Sequence, residues 1–558
     1  MSDAYEVCAA AIGFEDPESA GFDDTGAVVS CVAKQFAEGL DAFFLIYSAS
    51  LVFFMQAGFA MLCAGAVQRK NVQNTMLKNL LDACGAALGF FSFGYAFSFG
   101  GTADAGDLTF IGNSNFFLRG DVDYTFWIFQ YAFAATSVTI VAGTLAERCQ
   151  MTAYVCYSVM LSGFVYPVIV HSVWSDNGFL SVNASKPLFG VGVVDFAGSG
   201  VVHMTGGITS IIAAKILGSR KGRFFDERGK KLAKPKTFPG HSVALQVLGT
   251  FILWFGWYGF NIGSAASISS SRNAEIGSLA GVNTTLSAAA GGVAALFANL
   301  IAVERRTGEA EFNLTYAMNG CLAGLVAITA GCAIMEPWAA LIVGIVAGLL
   351  YLWFSAVLVK YCIDDAVDAI PVHMVNGVWG LLSTGLFASP DRMMNTFGNP
   401  NGGWFYEWGR GSGNFRLMGA QIVGVLAICA WVIALMLPFF GILNYLGWFR
   451  ADALEEIVGL DVSYHGGSYT DSKHDNALKK EYLDMFRKRQ EEHRREEMIK
   501  REKKRSPPHR GGSVTGSRTS GHSARSRAGG SFHDIPDSVG VPSSPKAVDA
   551  ADPDPDRP

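Results

Sequence analysis

The stretch Asp195-Phe-Ala-Gly-Ser-Gly-Val-Val-His203-Met-Thr-Gly-Gly207 heads a long apolar run and carries both an acid and a histidine. Ionisable groups inside a membrane span are costly, so by default they mark a pathway. Val202-His203-Met204 with Gly207 is matched downstream by Val372-His373-Met374 with Gly377. Two similar half-sites in two halves of one chain suggest internal repeats meeting at a central site. Neutral imidazoles hydrogen-bond to each other, one nitrogen donating and the other accepting, so such a pair can line a narrow pore and relay a proton. A lone histidine in a span is as often a packing residue; the matched contexts favour a shared site. No third ligand points to a metal centre. Asp195 precedes His203 by eight residues, roughly two helical turns, so the two share a face. At the start of a span a carboxylate suits a helix N-terminus, where it accepts backbone N–H bonds and complements the dipole. Direct coordination of a cation is the alternative.

Aromatic residues come next. Phe129 and Phe133 are four apart in the third apolar run and stack on one helix face. Trp174 stands at the outer end of the fourth run, and Trp257-Tyr-Gly-Phe260-Asn-Ile-Gly-Ser264 closes the sixth. Most of the phenylalanines read as interfacial anchors. Trp174, Phe133 and Ser264, however, are all expected near one face. A cation facing rings gains cation–π attraction, and a hydroxyl oxygen accepts its N–H bond. That composition suits a small, partly dehydrated, ammonium-like cation.

These residues need a scaffold, and composition says which. The chain has 558 residues, half of them apolar, with 64 glycines, and charge is scarce until about residue 450. This is an all-α polytopic membrane core with a soluble tail. Eleven apolar runs are long enough to cross a bilayer: about 41–65, 76–99, 124–146, 151–173, 191–217, 240–263, 275–300, 314–334, 338–360, 372–390 and 416–443. Small residues from Gly281 to Gly292 allow close helix approach. Basic residues fix the orientation. The loop after the first run carries Arg69 and Lys70, that after the fifth has Arg220, Lys221, Arg223, Arg228, Lys230, Lys231, Lys234 and Lys236, and that after the seventh has Arg305 and Arg306. The loop after the second is acidic, with Asp104, Asp107, Asp121 and Asp123. Odd-numbered loops are therefore expected in the cytosol, the N-terminus outside and the C-terminus inside.

The expected organisation is an acidic extracytosolic segment 1–40 without secretory-signal character, a membrane domain 41–445, a cytosolic tail motif 446–475, a charged helix 476–505 and a disordered Ser/Pro/Gly/Arg-rich tail 506–558. Ten cysteines show no metal-binding spacing. Cys8 and Cys31 precede the first run and either pair outside the cell or are unrelated thiols. Asn183-Ala-Ser185 is a glycosylation sequon on an expected outer loop. No nucleophile–base pair or cofactor fingerprint is present, so no enzyme, cofactor or nucleic-acid partner is expected.

Gly58-Phe-Ala-Met-Leu-Cys-Ala-Gly65-Ala-Val-Gln-Arg69-Lys70-Asn71-Val72 resembles the first-span signature of the ammonium transporter, methylammonium permease and Rhesus superfamily. So do Phe133 with Ala146-Glu147-Arg148, Asp195-Phe-Ala-Gly with His203, Gly259-Phe260-Asn261-Ile-Gly263-Ser264-Ala, and Asp364-Asp365 leading to Val372-His373. The resemblance covers roughly residues 41–470. It implies eleven transmembrane helices with pseudo-twofold inverted repeats (spans 1–5 and 6–10), and a homotrimer with one pore per subunit in the plasma membrane. It places Phe133, Trp174 and Ser264 at an outer ammonium-binding site, and Phe133 and Phe260 at a stacked gate beside Phe129. His203 and His373 match twin pore histidines, and Asp195 an essential acid. Trp174 favours the ammonium-transporter branch. Val375-Asn376 depart from the small residues usual after the second histidine, and the loop around Asn183 to Gly190 is longer. Gly459-Leu-Asp461-Val-Ser463-Tyr-His465-Gly466-Gly467 is similar to the regulatory tail of plant-like members, where a hydroxyl at the position of Ser463 is a phosphorylation switch.

The resemblance implies uptake of ammonium, with methylammonium as an analogue, by deprotonation at the aromatic entrance and electrogenic passage along the histidines. An ammonia gas channel fits the same residues. A sensor or transceptor signalling through a partner or kinase on residues 450–558 is the rival from another class.

Overall fold

A lipid-buried backbone must satisfy its own hydrogen bonds, which leaves helices as the shape for apolar runs of this length. Helices are what the chain forms. The computed structural model describes residues 22–101, 107–466 and 472–505. Two compact units divide the chain, residues 1–490 and 491–558. The apolar helices are α1 Phe22–Ala66, α2 Arg69–Phe99, α3 Tyr124–Leu145, α4 Met151–Trp174, α5 Ser199–Leu217 and α6 Val243–Gly263. They continue as α7 Ser271–Thr307, α8 Leu314–Ile328, α9 Pro337–Lys360, α10 Asn376–Phe387 and α11 Arg416–Tyr445. Among the described residues nine helices are long and apolar enough to cross a membrane by length and composition; α8 is a shorter apolar helix, and α10 is lengthened by the segment Ile370–Val375 before it. Short polar side chains start several helices: Asp123 accepts from Thr125 and Phe126 N–H at α3, and Ser242, Ser270 and Asn313 cap α6, α7 and α8.

The tail adds α12 Ala453–Val458, α13 Leu460–His465 and the charged α14 Ser472–Arg505. No strand is named among the described residues; extended pairing is confined to isolated bridges such as Thr109 with Gly178.

Four departures from the sequence expectation have physical reasons. The first helix already runs from Phe22, the first described residue, so it reaches into the expected N-terminal segment. Residues 191–198 are not helical, and α5 starts only at Ser199, so Asp195 lies ahead of the helix and does not share a helical face with His203. α14 starts at Ser472 rather than at 476. Finally, both histidines lie in π-helical turns, Ser199–Met204 and Ile370–Val375. Such turns are frequent at functional sites, although Phe90–Gly94 and Leu161–Val165 are π-helical too; hydropathy carries no signal for any of them. Cys31 is disulfide-bonded; Cys8 and residues 506–558 lie outside the described residues.

The halves pack through glycine. α1 lies along α6, where a Cβ on Gly58 would come 3.0 Å from Leu253 N and one on Gly249 would overlap the backbone of Leu62. At the centre the contacts are reciprocal. Gly207, four residues after His203, abuts the backbone of Met374, while Gly377, four after His373, sits where a Cβ would meet Met204 N at 2.9 Å. Small residues at such crossings let two backbones touch. Gly207→Val drives a branched side chain into backbone that cannot yield. We expect a loss of roughly 1–3 kcal/mol, read as a lower thermal midpoint of the purified protein, whereas Gly398→Ala, facing open space though at positive φ, costs less.

Candidate functional site

Asp195 is 3% exposed. Its Oδ1 accepts from Gly198 N (3.1 Å) and Ser199 N (2.8 Å), and its Oδ2 from Gly200 N (2.9 Å) and Val201 N (2.8 Å). All four belong to the opening of α5, whose first N–H groups have no intrahelical partner. A carboxylate offers about four lone-pair sites, so these bonds occupy it fully and leave none for a cation. Gly198 makes the turn at φ +106°, a backbone value that favours glycine. The neighbouring loop is held by Phe196 N to Ala330 O and Ala197 N to Thr329 O, both at the end of α8.

A cavity of about 250 Å³ opens above this turn, and its wall includes Phe129, Phe133, Trp174, Asp195 and Ser264. The Trp174 indole N–H donates to the Asp195 carbonyl at 2.7 Å. Ser264 donates its own proton to Phe260 O at 2.8 Å, which leaves the lone pairs of its Oγ free to accept. Asn183 of the longer loop is exposed on the same rim. Gln130, in the wall between Phe129 and Phe133, has a buried side-chain carbonyl oxygen with no partner.

Beneath the cavity the aromatic rings close over one another. Phe133 and Phe260 lie 4.1 Å apart between centroids at 31°, with Phe129 at 4.8 Å and Trp174 at 5.9 Å from Phe133. Phe260 is fully buried and stands 5.4 Å from the His203 ring, nearly parallel to it. His203 Nδ1 meets His373 Nδ1 at 3.2 Å, with the rings 5.2 Å apart at 19°. One Nδ1 therefore carries a proton and the other accepts it, which fixes opposite tautomers on the two rings. His203 Nε2 is buried without a partner. Beyond His373 a small chamber of about 20 Å³ is lined mainly by apolar side chains, Phe59, Leu62, Ile140 and Val372 among them. The order along the axis is cavity, ring pair, His203, His373, chamber. No group of three or more His, Cys, Asp or Glu able to hold a metal occurs among the described residues.

The sequence missed three contributors. Asp365 precedes His373 by the same eight residues that separate Asp195 from His203; it accepts from Ile370 N (2.7 Å) and Val367 N (3.3 Å) and from Thr144 Oγ1 of the other half (3.2 Å). That repeated offset was a readable signal. Trp257 stacks on His203 at 4.9 Å and 16° and is fixed by Thr329 Oγ1 at 2.9 Å; its place three residues before Phe260 put it on the same helix face. The departure at Asn376 also resolves: its Nδ2 donates to Pro371 O at 3.0 Å, satisfying a carbonyl within the π turn.

Ser463 lies apart, in the short tail helix packed against the start of α2. Its Oγ donates to Gly459 O at 3.0 Å, inside a clamp between the tail and the start of α2. Asp461 accepts from Asn74 N (2.8 Å) and Gln73 N (3.0 Å), Asn71 Oδ1 accepts from Leu460 N (2.8 Å), and Lys70 Nζ reaches Ile457 O at 2.6 Å. Burial raises the Asp461 carboxyl above its ordinary pKa although these N–H bonds oppose the shift. Arg450 caps α5, donating to Leu217 O and Ser219 O at 2.6 and 2.7 Å and pairing with Glu456.

The Ammonium Transporter Family model matches residues 42–470. Ammonium transporter 1 member 3 of Solanum lycopersicum is 39% identical over 81% of this chain and 98% of its own length. Putative ammonium transporter 1 member 5 of Arabidopsis thaliana is 43% identical over 74% of this chain and 82% of its own. Among solved structures, a Sensor Amt Protein matches with a TM-score of 0.65 and 31% identity over 77% of this chain and all of that one. Candida albicans Mep2 matches with a TM-score of 0.63 and 28% identity over 74% and 86%.

If the four N–H bonds are the role of Asp195, then Asp195→Asn replaces one oxygen, the acceptor of two of those bonds, by an NH2 donor facing backbone N–H. The expected result is a loss of about 3 kcal/mol or more and a fall in thermal midpoint that added ammonium does not restore. A protein of unchanged stability with weakened ammonium affinity would instead assign the carboxylate to the cation.

Proposed function

The chain belongs to the ammonium transporter family, and on that premise we propose that it takes up ammonium across the plasma membrane as a trimer of eleven-span subunits built from two inverted halves, N-terminus outside. The observation that carries the mechanism is the single file of cavity, ring pair and histidine pair. Ammonium gathers against Trp174 and Phe133, where ring faces attract the charge and Ser264 Oγ accepts an N–H. The Phe133–Phe260 pair shuts the entrance to a hydrated ion. Carrying a full charge through a dry centre is costly, so the ion leaves its proton near the gate and ammonia passes His203 and His373. Their opposed tautomers offer one nitrogen as acceptor and one as donor, and the proton follows through the imidazoles. Potassium has no proton to lose and is refused. Net transfer is electrogenic; if the proton instead returned outside, the same protein would be an ammonia channel.

A second reading has a specific observation behind it. Arg489 of α14 pairs with Asp452, the cap of α12, at 2.6 Å, so the charged helix engages the tail clamp, and one of the related structures is titled a sensor. In this reading the tail also reports ammonium to a cytosolic partner. Phosphorylation of Ser463 adds about two negative charges two residues from Asp461 and loosens the clamp.

Three measurements test these statements. In sealed liposomes an ammonium pulse should give a sustained current, absent with potassium; luminal alkalinisation without current would mean an ammonia channel. Phe133→Ala with Trp174→Ala should lower that uptake at least tenfold, and an unchanged rate would refute the entrance. Ser463→Asp should reduce the current several-fold while the protein still assembles, whereas wild-type rates would leave the serine without a regulatory role.

A further inference from the structure

The cavity above the gate is larger and more aromatic than ammonium needs. It measures about 250 Å³, where roughly 15 Å³ suffices for one water-sized occupant. Besides the rings at the gate, four more line it. Phe99 and Phe126 meet edge to face at 4.9 Å and 73°, and Phe196 and Phe397 at 6.5 Å and 75°. They come from four segments: the end of α2, the start of α3, the loop before α5, and the last residue of the short helix Pro390–Phe397. No lysine or arginine lines the cavity. Its Ser264 Oγ has free lone pairs, as described above. Rings on several sides of a space free of positive charge make the kind of cage that recognises alkylated ammonium groups. The exit is far narrower: ring centroids 4.1 Å apart at the gate, and a chamber of about 20 Å³ beyond the histidines.

We propose that this vestibule binds trimethylammonium, and that this cation occludes the pore rather than passing it. The remaining N–H of the cation points to Ser264 Oγ, while its methyl groups, which share the positive charge, rest on the Phe99–Phe126 and Phe196–Phe397 walls. The inference rests on the reading that the same cavity recruits ammonium. Both cations then compete for one space, but only the smaller is compact enough to enter the gate once its proton is lost.

The test uses the purified full chain. Trimethylammonium is titrated calorimetrically, and in liposomes its effect on ammonium current and its own uptake as a radiolabel are measured. We expect measurable binding, a raised half-saturating ammonium concentration with an unchanged maximal current, and no uptake of label. Phe397→Leu keeps the apolar volume but removes the ring face. It should weaken trimethylammonium about five- to tenfold relative to ammonium, the effect of one cation–π contact of ~1 kcal/mol. Phe126→Leu, at the opposite wall, should act in the same sense. Absence of binding and competition in protein that conducts ammonium would overturn the proposal, as would uptake of the label or an unaltered affinity ratio in both variants. Protein that binds trimethylammonium but carries no ammonium would refute the transport reading and leave the cage standing.

Discussion

The structure depends on one carboxylate. Asp195 gathers four successive N–H groups of a helix that begins inside the protein, and that interaction is what allows the chain to stay non-helical until Ser199. Unpaired N–H groups in an apolar interior would each cost several kilocalories per mole. Because the turn is paired, its backbone is free for other work: the Asp195 carbonyl receives Trp174, and Ser199 Oγ donates to Val326 O while accepting from Ala330 N. These bonds sew the first half of the chain to the second. Asp365 answers from the other half, holding the turn before His373 and taking Thr144 of the first half. Each half therefore fixes its own broken helix with a carboxylate and fastens it to its partner.

Between the two broken helices the histidines solve a problem of satisfaction. A buried imidazole has two nitrogens to place, and in a wall of Trp257, Phe260 and Phe59 there is little to receive them. Sharing Nδ1 satisfies one nitrogen on each ring. It also forces the outward nitrogens into complementary states, one bare and one protonated. His203 Nε2 has no protein partner, which is the condition for a passing molecule to become its partner. Stacking on Trp257, itself pinned by Thr329, keeps that ring in plane, so the pair is held by geometry rather than by charge. Among the described residues no carboxylate is hydrogen-bonded to either ring.

Much of this could be read in the residues. The apolar runs marked the helices, since the period and length of the pattern survive any tertiary context. Val202-His203-Met204 and Val372-His373-Met374 announced a shared site, and Phe133, Trp174 and Ser264 do line one cavity. The π turns were illegible because a single inserted residue leaves the hydrophobic pattern nearly unchanged. Asp195 was placed on the face of His203 because eight residues make two turns only where the helix is continuous; the glycine at 198, with positive φ, was the residue that said otherwise. Phe397 could not be assigned to the vestibule, since it arrives on a short helix more than a hundred residues after Ser264 and nothing local aims it.

The same broken helix meets the tail at its other end. α5 is held at its start by Asp195 and at its end by Arg450, which donates to the Leu217 and Ser219 carbonyls and so meets the negative end of the helix dipole. Arg450 is in turn paired with Glu456 of α12, whose Oε1 accepts Lys221 N. Glu147 joins the same floor, accepting Gln68 N and pairing with Arg220, which also binds Asp364 beside the second broken helix. Displacing the tail removes the Arg450 and Glu456 contacts at the end of α5, while Arg220 keeps its bond to Asp364. A regular α-helix would resist such a change along its length, but each segment contains a π turn at its histidine, where the hydrogen-bond ladder is already irregular. The 3.2 Å contact of His203 with His373 joins those two irregular turns.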